Sequence, residues 1–137
     1  MTELVLDASV VLQWLREDGE THSKQRALER RYRQGAFDVI VPSLLFLELL
    51  DTVARRWLWP ARQIRPTAHW LLAAGFRVPE PPLSRAAHWA GNGLTAYDAR
   101  YVALAEERRT VVITADERML AVVGAPARPL AAVLELP

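Results

Sequence analysis

The sequence contains no cysteine and only one lysine, Lys24. The first absence excludes disulfides, thiolate zinc sites and a cysteine nucleophile, and it suits a reducing compartment. No signal peptide is visible behind Met1-Thr-Glu, so the expectation is a cytoplasmic protein. The lack of lysine excludes a P-loop, because Lys24 follows no glycine-rich loop. It also argues against a phosphoryl-accepting receiver domain, which needs a lysine near its last strands. Histidine is scarce: His22, His69 and His88 are too far apart for a short helical metal motif. Any metal ligands are therefore oxygens, which favours magnesium or manganese. Long apolar runs are missing too. The longest, Val39 to Leu50, is broken by Pro42 and Glu48 and is too short to span a bilayer, so no membrane association is expected. Nor does one sign of charge dominate, since 17 basic and 16 acidic residues leave a formal net charge of +1.

What is present has a clear order. At 137 residues the chain fits one domain, expected over residues 1–137, large enough to bury a core without staples. Leu4-Val5-Leu6, Val39-Ile40-Val41 and Val111-Val112-Ile113 read as short buried strands, and Phe76-Arg77-Val78 as a further one. Helices are expected from Ala8 to about Arg16, from about Glu20 to Arg33, and from a Ser43 cap to about Trp57. Further ones follow from Pro60 with a break or kink at Pro66, from Ser84 to Ala90, through Leu94–Glu106, and from Asp116 to Val123. The tail from Pro129 to Pro137 reads as an edge strand. This alternation points to an α/β layer architecture with a mainly parallel sheet, in which ligands bind beyond the carboxyl ends of the strands.

Four carboxylates fall at that edge. Asp7 ends the first strand, and Glu48 lies in the second turn of the helix after the second strand. Asp98 occupies the first turn of the helix capped by Thr95, and Asp116 follows the Val111–Ile113 strand. Each alone has a structural explanation. Asp7 suits a turn or N-cap, and Thr95-x-x-Asp98 is close to a capping box. Thr114-x-x-Glu117 is a full capping box, and Glu48 belongs to a polar stripe with Asp51, Thr52 and Arg55. In the helix of Asp98, Tyr97, Tyr101 and Leu104 lay down one apolar face. Together, four carboxylates repel unless they take up protons or share a cation. A divalent cation among them is suited to displacement at phosphorus.

The motifs Val5-Leu-Asp7-Ala-Ser9, Pro42-Ser-x4-Glu48, Leu94-Thr-Ala-Tyr-Asp98-Ala-x-Tyr101-x-Ala-Leu-Ala105 and Ile113-Thr-Ala-Asp116, in this order, resemble the PIN domain. Within it, the chain is similar to VapC-type toxin ribonucleases of type II toxin–antitoxin systems. The resemblance implies a three-layer α/β/α fold and a magnesium- or manganese-dependent endoribonuclease that hydrolyses RNA with metal-activated water. It also implies a small VapB-type antitoxin as partner, and a homodimer. Asp7, Glu48, Asp98 and Asp116 match the family's acidic, metal-holding positions, and Ser9 and Thr114 match hydroxyl positions beside them. Asp51 stands where many relatives carry asparagine.

Other readings compete with this one. A non-catalytic PIN-like module would bind RNA or protein without cutting, and a PIN nuclease of RNA processing would share the chemistry. Gly91-Asn-Gly93-Leu-Thr-Ala96 fits a dinucleotide-binding pattern but follows a helix-like stretch instead of a strand. Of the five tryptophans, Trp14 is expected in the core. Trp57 and Trp59, beside Arg55-Arg56, are candidates for an antitoxin or dimer contact.

Overall fold

Apart from the edge segment Ala127–Pro129, the strands of this chain are largely apolar on both sides of the pleat, a pattern that suits a sheet covered on both faces. In the computed structural model, which describes residues 2–16, 23–129 and 132, they form one four-stranded, all-parallel sheet. Its strands are β1 (Glu3–Leu6), β2 (Asp38–Ile40), β3 (Val112–Thr114) and β4 (Ala127–Pro129), in the order β2-β1-β3-β4. The helices are α1 (Ala8–Trp14), α2 (Ser23–Arg33), α3 (Leu44–Asp51), α4 (Ala61–Ala73), α5 (Leu83–Ala90), α6 (Ala96–Glu107) and α7 (Glu117–Val123). They complete a three-layer α/β/α sandwich. Residues 20–22 of the expected second helix lie outside the described residues, as do most residues of the tail after Pro129.

The chain reverses direction across the sheet between β1 and β3. From β1 it passes to β2 on one side, then returns past β1 to β3 on the other. The crevice at the carboxyl ends of β1 and β3 is therefore the topological switch point, where open α/β sheets bind ligands. The core beneath is built from Val5, Leu6, Ile40 and Ile113 on the strands, Val10 and Val11 on α1, Leu45 and Leu49 on α3, and Leu104 on α6, all at 0 % exposure.

Several local expectations change. The expected strand at Phe76–Val78 reduces to an isolated bridge, with Arg77 paired to Ile40, because the prolines at 79, 81 and 82 leave no room for a ladder. Helix α4 runs through Pro66 without ending, and the turns after it are anchored by buried Thr67 and Leu71. The helix expected from Ser43 to Trp57 is α-helical only to Asp51 and then widens into a π-helical turn over Thr52–Arg56. Ser43 makes no side-chain cap to α3. Its own N–H donates to Glu80 Oε1 at 2.9 Å, and the other oxygen of Glu80 takes the Arg100 guanidinium of α6. A carboxylate 37 residues away thus braces the start of α3 and ties it to α6. No helix among the described residues is long and apolar enough to cross a membrane.

Ile113 sits fully buried on β3, between its pairing with β1 and its pairing with β4. Truncating it leaves a cavity that a close-packed sheet cannot collapse, so Ile113→Ala is expected to cost about 2–5 kcal/mol. Urea unfolding measures the loss, and a value under about 1 kcal/mol would contradict this packing.

Candidate active site

Pairing of β1 with β3 sets Leu6 opposite Ile113, so the next residues on each strand, Asp7 and Thr114, meet at the carboxyl edge. Asp7 is the N-cap of α1, accepting from the Val10 N–H at 3.4 Å. Its Oδ1 also accepts from the Ser9 hydroxyl at 2.5 Å, and its Oδ2 from the Thr114 hydroxyl. The Ser9 oxygen in turn accepts from the Ala115 N–H at 3.1 Å, and the Thr114 oxygen from the Asp116 N–H at 2.9 Å. The carboxylate is only 5 % exposed. Burial pushes the Asp7 carboxyl up to about 6, against the hydrogen bonds from Ser9, Thr114 and Val10, with the negative charge of Asp98 adding to the rise.

The other acids come from separate segments. Asp98 stands at the third position of α6, behind the Thr95 cap, whose hydroxyl accepts from the Asp98 N–H at 3.1 Å. Gly93, at φ +111°, supplies the turn between α5 and α6 that a residue with a Cβ rarely adopts. Burial raises the Asp98 pKa above the ordinary carboxyl value, Thr95 opposes the rise, and nearby Asp116 adds to it. Asp116 is the true N-cap of α7, accepting from the Arg118 and Met119 N–H groups. The capping box expected from Thr114 is not formed: its hydroxyl donates to Asp7 and accepts from the Asp116 N–H, and α7 begins after Asp116, which caps it. Glu48 projects from α3, and its Oε1 accepts from the Tyr101 hydroxyl at 2.6 Å. Burial raises its pKa as well, the Tyr101 hydrogen bond opposes this, and Asp98 adds to it.

All four carboxylates, together with Ser9 and Tyr101, line one cleft of about 210 Å³. Asp51, which stands where many relatives carry asparagine, is exposed and faces an adjoining hollow of about 370 Å³ that shares Glu48 and Asp98 with the cleft. Tyr101 is the residue that sequence reasoning placed only on an apolar face. Its ring is 1 % exposed in the core, while its hydroxyl reaches the site to orient Glu48. Tyr97, expected on the same apolar face, is 61 % exposed and lies at the rim of the adjoining hollow. The buried face of α6 is instead the nearly continuous stretch from Tyr101 to Ala105.

The donor chemistry fits a hard divalent cation, since the acidic and hydroxyl side chains gathered here offer oxygen alone. Among the described residues, however, no group of three or more His, Cys, Asp or Glu side chains is already arranged around one ion position. Asp7 has both oxygens engaged by hydroxyls, and Asp116 uses Oδ1 in capping. Asp7, Glu48, Asp98 and Asp116 are the side chains in the cleft that could hold such a cation.

Two consequences are measurable. A carboxyl with its folded pKa above its unfolded value binds more protons in the native state between the two, so stability falls as pH rises through that window. For Asp7 the window runs from 3.8 to about 6. In chelator, the protein is expected to lose up to about 3 kcal/mol across it through this residue, and Asp7→Asn is expected to flatten that part of the profile and to be the more stable form at pH 7. Chemical denaturation at pH 4, 5, 6 and 7 reads this directly, and an unchanged slope in the variant would exclude Asp7 as its source. Tyr101→Phe keeps the buried ring and removes one hydrogen bond to a charged group. It is expected to cost about 1.5–3 kcal/mol at neutral pH and to raise the pKa of Glu48, followed by carboxyl NMR titration. An unmoved Glu48 would show that Tyr101 does not orient it.

The family model described as PIN domain matches residues 4–125. Among solved structures, a crystal structure of PAE2754 from Pyrobaculum aerophilum superimposes with a TM-score of 0.69 at 22% identity, covering 97% of this chain and 94% of that one. A crystal structure of FitAcB from Neisseria gonorrhoeae does so with a TM-score of 0.66 at 17% identity, covering 93% and 98%. At these identities the two neighbours share the fold. No curated protein matches the chain in sequence.

Proposed function

The chain belongs to the PIN-domain family, and from that premise we propose that it is a metal-dependent endoribonuclease, the toxin of a VapC-type toxin–antitoxin pair. The observation that supports this most is the convergence of Asp7, Glu48, Asp98 and Asp116, from four separate segments, on one cleft at the switch point of the sheet. Three of these acids have their pKa raised chiefly by burial, and in each a neighbouring carboxylate adds to the rise.

In this reading Asp7, Asp98, Asp116 and Glu48 would hold magnesium or manganese. Bound there, the cation supplies Lewis-acid activation of water and neutralises charge at phosphorus. The protein's own groups set the geometry. Ser9 and Thr114 fix both oxygens of Asp7, so that its carboxylate cannot rotate away. Tyr101 aims Glu48 into the cleft, where its raised pKa suits it to accept a proton from the attacking water. Among the described residues no histidine lines the cleft, so proton transfer falls to carboxylates and solvent. The products are a 5′-phosphate and a 3′-hydroxyl. A small VapB-type antitoxin and a homodimer belong to the same proposal. For such contacts the half-buried Trp57 and Trp59, with ring centroids 5.4 Å apart, offer an aromatic surface.

The test compares the protein with Asp98→Asn on a structured RNA pool in magnesium, in manganese and in chelator. Cleavage is expected with either metal, none in chelator, and a loss on the order of a hundredfold or more in the variant. Asp98→Asn should unfold no earlier than the parent, because it relieves repulsion among the acids. Cutting at the parent rate by the variant would remove Asp98 from the site. Absence of both cutting and metal binding would turn the assignment to a non-catalytic binding module.

A further inference from the structure

Arg56 is the one basic side chain, among the described residues, that lines the cleft of the four carboxylates. It gets there through the widened turn after α3. At 100° per residue an α-helix would swing a side chain eight positions from Glu48 about 80° off its line. Over Thr52–Arg56 the hydrogen bonding lengthens to the i→i+5 kind, with the Trp57 N–H donating to the Thr52 carbonyl at 2.9 Å. This takes back rotation, so Glu48, Thr52 and Arg56 all face the same cleft, and the neighbouring Arg55 does not line it. Single π-helical turns of this kind recur at functional sites because they re-aim side chains. Despite the acids around it, no ion pair or hydrogen bond among the described residues ties Arg56 to any of the four carboxylates. Its planar fork is left open in a cleft whose negative charge a cation would offset, and that geometry suits a phosphate.

The adjoining hollow carries a different chemistry. Tyr97 and Leu47, at 61 % and 67 % exposure, are large apolar groups left in solvent beside Glu48, Asp51 and Asp98. Tyr97 directly precedes Asp98 on the first turn of α6. An exposed ring next to a phosphodiester site is a platform for an unstacked base, which a duplex cannot offer. The two hollows meet at Glu48 and Asp98, the acids they share.

Building on the nuclease reading above, we propose that Arg56, in the cleft, and Tyr97, in the adjoining hollow, are substrate-binding residues: Arg56 holds a backbone phosphate and Tyr97 stacks an unpaired base.

The test uses the full chain carrying Asp98→Asn, which should bind without cutting. A fluorescent single-stranded oligoribonucleotide is titrated by anisotropy in magnesium at several salt concentrations. Into this background go Arg56→Gln, Arg56→Lys, Arg55→Gln, Tyr97→Ala and Tyr97→Phe. Arg56→Gln is expected to weaken binding and to lower the slope of log affinity against log salt by about 0.7, one phosphate contact on a single strand. Arg55→Gln, with the same change in charge, leaves the slope where it was, and Arg56→Lys restores it. Tyr97→Ala is expected to weaken binding by about five- to a hundredfold, while Tyr97→Phe retains it. A duplex of the same sequence does not respond to Tyr97→Ala. Both sites are exposed, so all variants should keep the parental unfolding midpoint, which is measured alongside. If Arg56→Gln matches Arg55→Gln, or Tyr97→Ala matches Tyr97→Phe, the proposal is overturned. Should the parent still cut RNA, the nuclease reading survives that outcome. A parent that neither binds nor cuts RNA removes both.

Discussion

Asp7 carries a carboxylate where water is nearly excluded, at the point where β1 gives way to α1, and an ionised group in such a place is costly unless its oxygens are satisfied. Here they are satisfied from two directions. Ser9 and the Val10 N–H reach it from the start of α1, and Thr114 from the end of the neighbouring strand β3. The carboxylate is thus a polar staple between the two central strands, at the spot where the chain changes direction across the sheet. The hydrogen bonds only partly offset burial, because the pKa still rises to about 6. A group held this firmly and still short of positive charge lowers stability at neutral pH, the kind of local conflict expected where a fold carries a functional site.

The rest of the site is arranged around that staple by elements far apart in the chain. Asp116 follows the strand that pairs with β1, so the pairing that brings Thr114 to Asp7 also delivers Asp116 to the cleft. Glu48 and Asp98 arrive on α3 and α6, and these two helices are tied to each other twice. Glu80 bridges the Ser43 N–H and Arg100 at one place, and Tyr101 binds Glu48 at the other. Both ties are polar contacts on helices whose other faces are locked into the core by Leu45, Leu49 and Leu104. Rigid helices with short polar ties hold acids at fixed separation better than a loop would.

Much of the fold was readable along the chain because its signals are local. Runs such as Leu4-Val5-Leu6 and Val112-Ile113 are strands wherever they are buried on both faces, and Thr95 before an apolar helix is an N-cap in any context. The failures share a cause. Ser43 looked like a cap, but its N–H is served by Glu80, 37 residues on. Thr114 looked like half of a capping box, but its hydroxyl is claimed by Asp7, 107 residues away. Tyr97 fitted the periodicity of α6, yet the cleft opens beside it and leaves it in solvent. All three depend on chain segments distant in sequence, which a local pattern does not show.

The sequence by itself determined which residues are candidates for the chemistry, where most of the strands and helices fall, and that acids cluster at the carboxyl edge of a parallel sheet. These follow from hydrophobic periodicity, capping and the order of α/β units, all of which act over a few residues. Tertiary structure alone decided that Asp7 is held by both Ser9 and Thr114, that Tyr101 is part core and part site, and that a π-helical turn carries Arg56 into the cleft. The reason is physical. Strand register, helix phase and burial arise only when distant segments pack together, and they set which side chain meets which and how strongly each carboxyl is perturbed.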